Sequence, residues 1–187
     1  MFSFILFSRR SKYLSWNNTS RRSHVIRQQL SNPVVGSASV FIKSTPTIVF
    51  EFIGINFFSN YPRWSPEVIK LEQLGEGDVM VGTQGRQVRV DQGRRLESSF
   101  EVTTFEPQNL LVFDGTTDPF KCTFKIEASN NDEIMRLSFT FAGLELYPFM
   151  RPFEKLIRRV VQSGAERTTR NIKRLVEVKE RRSSVFK

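Results

Sequence analysis

Residues that commonly carry acid–base or nucleophilic chemistry are scarce in this 187-residue chain. The single histidine, His24, lies within residues 1–36, and the single cysteine, Cys122, alternates with Phe120 and Phe124. Histidine is the usual acid or base near neutral pH and the usual partner of a nucleophilic serine or cysteine. A cysteine between two phenylalanines fits a small buried apolar position. The sequence therefore predicts no histidine base, no Ser-His or Cys-His pair, and no zinc or haem site.

Other side chains could still assist a reaction inside an apolar cavity: an acid, a tyrosine, or an arginine that polarises a carbonyl. The candidates are Arg86, Arg89, Asp114, Glu145 and Tyr147. The two arginines also fit a solvated strand face that pairs with Glu97 and Glu101, and Asp114 begins an ordinary turn. Neither glycine-rich phosphate-binding motif occurs. We therefore assign no catalytic residue and expect no metal, nucleotide or other cofactor.

The positive charge is concentrated at the start of the chain. The net charge is +9, but residues 1–36 hold six basic side chains and no acidic one, which leaves +3 for residues 37–187. A nucleic-acid-binding domain normally carries its basic residues on the fold itself, so no specific nucleic-acid partner is predicted. The basic, Ser-rich leader is either a disordered tail or a transit peptide. We expect a cytoplasmic protein, or a plastid or mitochondrial one if the leader directs import.

Length and composition predict one globular domain. The chain is 39% hydrophobic with 18 phenylalanines, which is ample for one core and too short for two. One cysteine excludes an intramolecular disulfide, and the longest early apolar run, Phe4–Phe7, is far too short to span a bilayer. We divide the chain into a leader (1–36), a ligand-binding domain (37–178) and a charged C-terminal tail (179–187).

Local patterns predict an α+β fold. Apolar residues alternate along several segments, as they do in strands with one buried face, and they recur at helical spacing in the last third of the chain. On the longest strand Leu96, Ser98, Phe100, Val102 and Thr104 share one face. The predicted strands are 39–43, 68–74, 79–90, 94–105, 110–113, 120–128 and 133–142, and the predicted helices begin at Pro46, cover 57–60, and cover 148–178. Six or seven antiparallel strands would curve around the long helix.

Four local motifs give this order of elements a family resemblance. They are Ser44-Thr45-Pro46, Phe57–Trp64 with Ser65-Pro66, Gly75-Glu76-Gly77 followed by Val81-Gly82-Thr83, and Phe105-Glu106-Pro107. Over about three quarters of its length the chain resembles the START-like (SRPBCC) superfamily, which has the helix-grip fold, and in particular its polyketide cyclase/dehydrase branch. The resemblance implies a cavity between the concave sheet and the closing helix that holds a lipid, isoprenoid, sterol or polyketide-like molecule.

The alternation and the resemblance together name a lining for that cavity. Trp64 and Tyr147 are expected nearer its mouth. The predicted lining is Trp64, Phe100, Val102, Phe124, Leu137, Phe139, Phe141, Tyr147, Phe149, Phe153, Ile157 and Val161.

Three functions remain open at this stage. The first is noncatalytic binding or carriage of an apolar small molecule, and the second is a cyclase or dehydratase that uses a cavity carboxylate or tyrosine. The third is an interaction module whose core is filled by its own side chains. The basic last helix also permits weak contact with an anionic membrane surface. The oligomeric state is not predicted.

Overall fold

The computed structural model describes residues 33–91, 93–129, 134–143 and 148–185. Strand β1 is followed by two short helices, six further strands and a long helix. A π-helical turn (Glu51–Ile55) continues α1, and a 3₁₀ turn (Pro148–Phe153) precedes α3. The elements are β1 (Val34–Lys43), α1 (Pro46–Phe50), α2 (Phe57–Trp64), β2 (Val68–Leu74), β3 (Gln84–Asp91), β4 (Arg94–Glu106), β5 (Leu110–Gly115), β6 (Phe120–Ala128), β7 (Ile134–Gly143) and α3 (Glu154–Val185).

The seven strands form one antiparallel sheet in the order β1-β7-β6-β5-β4-β3-β2. Helix α3 packs mainly on β1 and to a lesser extent on β7, whereas α2 packs beside β2 at the other end of the sheet. The predicted α+β helix-grip architecture is confirmed, with seven strands and two short helices after the first strand. No helix among the described residues has the length and hydropathy needed to cross a membrane.

Alternation along the central strands builds the core. On β6 the side chains of Phe120, Cys122, Phe124 and Ile126 are buried, while the residues between them are less enclosed. Strand β7 repeats the pattern at Met135, Leu137, Phe139 and Phe141. Both sets match the sequence prediction, because the period of two places alternate side chains on one face of a sheet whatever its final curvature. We call this buried face, which α2 and α3 cover, the inward face.

Side chains of α3 satisfy backbone groups along the free edge of β1. An unpaired strand edge exposes N–H and C=O groups that can pair with another chain. The helix runs in the same direction as the strand and contacts it at intervals, which fits the rise of about 1.5 Å per helical residue against about 3.3 Å per strand residue. The bonds join Arg158 to the Pro33 carbonyl, Gln162 to both backbone groups of Ser37, Lys173 to the Phe41 carbonyl and Glu177 to the Lys43 N–H.

A glycine permits the close approach of the helix to the strand. A Cβ atom added at Gly36 would lie 2.6 Å from both the carbonyl carbon and the carbonyl oxygen of Val161, and 2.8 Å from the Gln162 nitrogen. These neighbours are backbone atoms of α3 and cannot rotate away. Gly36 therefore fixes the helix directly on the first strand.

Five boundaries differ from the sequence prediction by more than two residues. Strand β1 begins at Val34 rather than at 39, and α2 continues to Trp64 rather than ending at 60. Strand β3 begins at Gln84 rather than at 79, because residues 80–83 form a turn in which the Thr83 hydroxyl accepts a hydrogen bond from the Met80 N–H at 2.9 Å. The α-helical part of the last helix begins at Glu154 rather than at 148, since a residue before proline, here Arg151, disfavours the α conformation. It continues to Val185, seven residues beyond the predicted end.

The predicted face of β4 is correct as far as Val102 and wrong beyond it. The pairing with β5 shifts between Val102 and Thr104, which marks a β-bulge. The extra residue reverses the alternation, so Phe105 takes the inward position that was predicted for Thr104. The Phe105 ring packs edge-on against Phe50 with centroids 5.1 Å apart.

Candidate ligand-binding site

Phe113 is at the centre of an aromatic cluster on the inward face. Its side chain is fully buried, and its ring centroid lies 4.9 Å from that of Phe100, 5.4 Å from that of Phe57 and 6.3 Å from that of Phe124. Aromatic pairs at these separations and at tilted or edge-on angles attract each other beyond the simple burial of their surface. The rings thus fill much of this region with one another.

Trp64, at the end of α2, belongs to the same cluster. It is 1% exposed, and its ring lies 5.5 Å from that of Phe52 and 6.3 Å from that of Phe124. Asn171 of α3 donates a hydrogen bond to the Trp64 carbonyl at 2.9 Å. The indole Nε1 has no hydrogen-bond partner among the described residues. Trp64 is therefore enclosed between α2, the sheet and α3, deeper than the position near the mouth that the sequence suggested.

A second region of the inward face is polar. Gln87 of β3 is only 2% exposed, and its Nε2 donates to the Ser98 hydroxyl on β4 at 3.0 Å. The amide oxygen of Gln87 has no partner in the part of the chain that the structure describes. Because the two ends of a glutamine amide are assigned from their hydrogen bonds, either orientation leaves one end unmatched. A buried polar atom of this kind is costly unless something satisfies it.

An ion pair extends this polar region toward α3. The Arg89 guanidinium lies 2.9 Å from Oε1 of Glu67, and Arg167 of α3 reaches the same oxygen at 3.5 Å. The side chains of Arg89 and Glu67 are only 18% and 14% exposed. We call Gln87, Ser98, Arg89 and Glu67 the polar patch.

The prediction of a solvated face for both arginines of β3 holds for one and is wrong for the other. Arg86 pairs with Ser99 across the hairpin and points outward, where it forms ion pairs with Glu72 at 2.6 Å and Glu97 at 3.5 Å. Arg89 pairs with Leu96 and points inward. The odd-numbered residues of β3 share the inward face, whereas Arg86 lies between them.

The hairpin register contained the signal for this arrangement. Asp91 pairs with Arg94 at the end of the hairpin, and counting back from that pair sets Gln87 opposite Ser98 and Gly85 opposite Phe100. Since Phe100 was already predicted to face inward, the residues opposite its face must do the same. Tyr61 was missed as well, because its short helix contains Pro62 and gives little periodicity.

Burial determines the chemistry available to two other inward residues. Tyr61 is 5% exposed and stacks on Phe57 with centroids 5.0 Å apart. Burial raises the pKa of its hydroxyl, an effect that the nearby Arg89 charge partly opposes. Burial also raises the pKa of the Cys122 thiol. Cys122 is buried, as its alternation with two phenylalanines predicted, and both groups stay protonated at neutral pH.

Of the remaining candidates for chemistry, the described structure contains only Asp114, which does not lie on the inward face. Asp114 pairs with Glu101 and Lys121 across neighbouring strands, so it faces outward, where it accepts a hydrogen bond from Thr103 at 3.0 Å. Glu145 and Tyr147 lie outside the described residues. Within the described ranges, no group of three or more His, Cys, Asp or Glu side chains could hold a metal ion.

The predicted lining residues fall into four groups: one is exposed, one is half-buried, two have side chains that are not described, and eight are buried. Phe153 is 59% exposed, Ile157 is half-buried, and the side chains of Tyr147 and Phe149 lie outside the described part of the chain. Whether any of them touches a ligand stays a prediction. The buried members are Trp64, Phe100, Val102, Phe124, Leu137, Phe139, Phe141 and Val161.

Solved structures share this fold at low sequence identity. A START superfamily protein from Mycobacterium smegmatis superposes with a TM-score of 0.63 and 15% identity, over 76% of this chain and 97% of that one. The Zhui aromatase/cyclase from Streptomyces sp. R1128 gives 0.63 and 12%, over 76% and 93%. The di-domain aromatase/cyclase StfQ from the steffimycin biosynthetic pathway gives 0.65 and 14%, over 79% and 52%. At these identities the likeness establishes the fold alone.

Sequence comparison provides the family. No curated protein matches the chain by sequence. The pattern of one family, described as polyketide cyclase / dehydrase and lipid transport, matches residues 33–177, which include all seven strands and most of α3. The chain therefore belongs to the polyketide cyclase/dehydrase and lipid transport family.

Proposed function

We propose that this protein binds and carries a largely apolar small molecule against the inward face, with a polar group of the ligand at the polar patch. The observation that carries the proposal is Gln87, whose amide is almost fully buried with one end unmatched among the described residues. An amide hydrogen bond left unmade in a protein interior costs about 1–3 kcal/mol. A ligand hydroxyl or carboxyl group at that point would recover this cost.

The surroundings of Gln87 favour an amphiphilic ligand. Aromatic side chains from β4, β5 and β6 provide apolar surface, and burial of ligand carbon against them is worth about 25 cal/mol per Å². The polar patch offers one amide and one guanidinium for orientation. A few polar groups within an apolar lining are the usual composition of a small-molecule site. Family membership supports the same ligand class, since its description includes lipid transport.

Native mass spectrometry of the purified full chain tests the proposal directly. We expect a stoichiometric small-molecule adduct, and after its extraction we expect saturable binding of cis-parinaric acid or dehydroergosterol, two fluorescent apolar probes with one polar group each. An empty protein that also fails to bind both probes would show that the carrier proposal is wrong. The filled-core interaction module would then explain the aromatic cluster better.

Two matched variants test the role of the polar patch. Gln87→Leu removes the inward amide, and we expect a roughly three- to tenfold loss of probe affinity, the worth of one hydrogen bond. Gln84→Leu makes the same change on the exposed face of β3, where Gln84 bonds Glu101, and should leave the affinity unchanged. Equal probe affinities of the two variants would show that Gln87 does not contribute to ligand binding.

A cyclase or dehydratase is the second candidate, and Glu67 is the observation that favours it. Its carboxylate is nearly enclosed beside Arg89, which provides a carboxylate and a guanidinium in one place. Such a pair could move a proton and polarise a carbonyl. If the extracted ligand is lighter than the supplied compound by one water, and Glu67→Gln prevents that loss, the enzyme explanation is correct. Cyclisation without loss of water keeps the mass, so carriage is favoured only if the mass, the chromatographic retention and the fragmentation pattern of the compound are all unchanged.

A further inference from the structure

The solvent-facing side of α3 carries a straight row of cations. The arginines of this row are separated by three, four or eight residues, spacings that place them on one stripe of the helix. Each of these arginines is exposed. From Arg159 to Arg174 the stripe is about 22 Å long. Leu156 and Ser163 lie on the same stripe as the four arginines and are also exposed. We call the whole stripe the outer ridge, and it consists of Leu156, Arg159, Ser163, Arg167, Arg170 and Arg174.

The acidic residues of α3 are kept off this ridge. The helix contains ten basic and four acidic residues. Glu177 accepts from the Lys43 N–H and Glu180 from the Ser44 hydroxyl, so both face the first strand. Glu154 pairs with Arg158 at 2.8 Å, and Glu166 accepts from Gln162 at 3.0 Å. The outer ridge therefore contains no acidic side chain.

Most of the ridge charge is not neutralised by neighbouring acids. Arg159 and Arg174 have no ion pair among the described residues. Arg167 reaches Glu67 at 3.5 Å, and Arg170 lies 4.0 Å from Glu166, which is the outer limit for an ion pair. Exposed pairs of this kind are worth little and do not hold the guanidinium away from another partner. The ridge therefore presents a strong positive potential to solvent.

One end of the ridge is apolar as well as basic. Phe153 is 59% exposed and Leu156 is 44% exposed, three residues apart at the start of α3. Exposed Arg151 and Lys155 stand beside them. Large apolar side chains ringed by cations can enter the headgroup region of a bilayer while the cations contact lipid phosphates.

We propose that the outer ridge docks this protein on an anionic membrane surface, with Phe153 and Leu156 entering the interface. Each Lys or Arg held near such a surface contributes favourably, and several act together. A row of arginines also fits the phosphates of a nucleic acid. The exposed phenylalanine and leucine favour the membrane, because a duplex backbone offers them no apolar surface to enter.

Vesicle flotation of the full chain tests the docking. We expect the protein to bind vesicles of equal parts phosphatidylcholine and phosphatidylglycerol and not to bind vesicles of phosphatidylcholine alone. It should dissociate as the NaCl concentration is raised. The double variant Arg159→Glu with Arg174→Glu should bind at least roughly tenfold more weakly. Leu156→Ser should weaken binding roughly fivefold or more, through lost apolar burial. Circular dichroism and a thermal melt establish that each variant is folded.

A charge-matched control separates the ridge from net charge. Arg94→Glu with Arg95→Glu makes the same change of charge on exposed residues at the β3–β4 hairpin and should bind like the unchanged protein. An equal loss in that control, or unchanged binding by the ridge variant, would overturn the proposal and attribute binding to net charge or to residues 1–36. Retention on double-stranded DNA without binding to the anionic vesicles would overturn it in favour of a nucleic-acid surface.

Discussion

The aromatic cluster and the polar patch share the inward face, but they differ in whether every side chain finds the partners that it needs. Around Phe113 the rings contact one another, and each ring gains from burial without needing a specific partner. Around Gln87 the groups are directional, and one amide end remains unmatched in the described structure. The comparison indicates that the cluster stabilises the fold, whereas the patch is where an additional molecule would gain most.

Removal of a central ring should have the largest effect. We expect Phe113→Ala to lower the free energy of unfolding by about 3–5 kcal/mol, because a fully buried ring is lost and a cavity remains. Urea denaturation followed by circular dichroism measures the change. Phe41→Ala is the control, since Phe41 on the outward face of β1 is 60% exposed and its loss should cost no more than about 0.5 kcal/mol. Similar costs for both would contradict the central role of Phe113.

Removal of the charge on Glu67 should have the next largest effect. We expect Glu67→Gln to destabilise the protein by about 2 kcal/mol, because the largely enclosed ion pair between Arg89 and Glu67 is lost. Glu97→Gln changes an exposed partner of Arg86 and should not change stability measurably. Urea denaturation at pH 7 compares the two. If they behave alike, the polar patch is no more enclosed than the outward face.

Alkaline pH should weaken the protein moderately. Burial raises the pKa of Cys122 and Tyr61 above their ordinary values of about 8.5 and 10, so unfolding above those values releases protons that the folded chain retains. Stability is fully present below about pH 8.5 and falls as pH rises, by about 1 kcal/mol at about pH 9 from the thiol. Urea midpoints measured from pH 7 to 9.5 test this. In Cys122→Ala the stability should stay nearly constant until the pH approaches the ordinary pKa of tyrosine, about 10.

Replacement of Gln87 should have the smallest effect on stability, and any change should be an increase rather than a loss. In protein freed of ligand, we expect Gln87→Leu to be neutral or to stabilise by up to about 1 kcal/mol, because it removes a buried amide with an unmatched end. The same variant is expected to bind ligand less well. A loss of stability similar to that for Glu67→Gln would mean that the amide is fully satisfied in the folded protein and serves structure instead.

Local sequence was sufficient for features that depend on a repeat. Strands β6 and β7 and the buried stripe of α3 follow from spacing alone, because a period of two or of about 3.6 sets which side chains share a face. The resemblance carried by a few turn motifs then gave the correct fold, including the position of the closing helix. These features require no knowledge of which strands are neighbours.

Other features depend on how separate strands and helices pair and pack. The bulge near Thr103, the inward position of Arg89 and the contact of Gly36 with Val161 were decided by how strands and helix meet in space. No repeat within one segment encodes them. The bulge and the position of Arg89 depend on pairing with the neighbouring strand, and the contact of Gly36 with Val161 joins the first strand to the last helix.

The sequence by itself thus determined where most strands lie, the amphipathic last helix and the apolar character of the interior, since these are set by the type and spacing of nearby residues. Only the tertiary structure decided that Glu67 lies beside Arg89, and that Glu177 and Glu180 of α3 turn toward the end of the first strand. The physical reason is that hydrogen bonds and ion pairs are directional and short-ranged. Their partners are known only when the sheet register and the helix position are known.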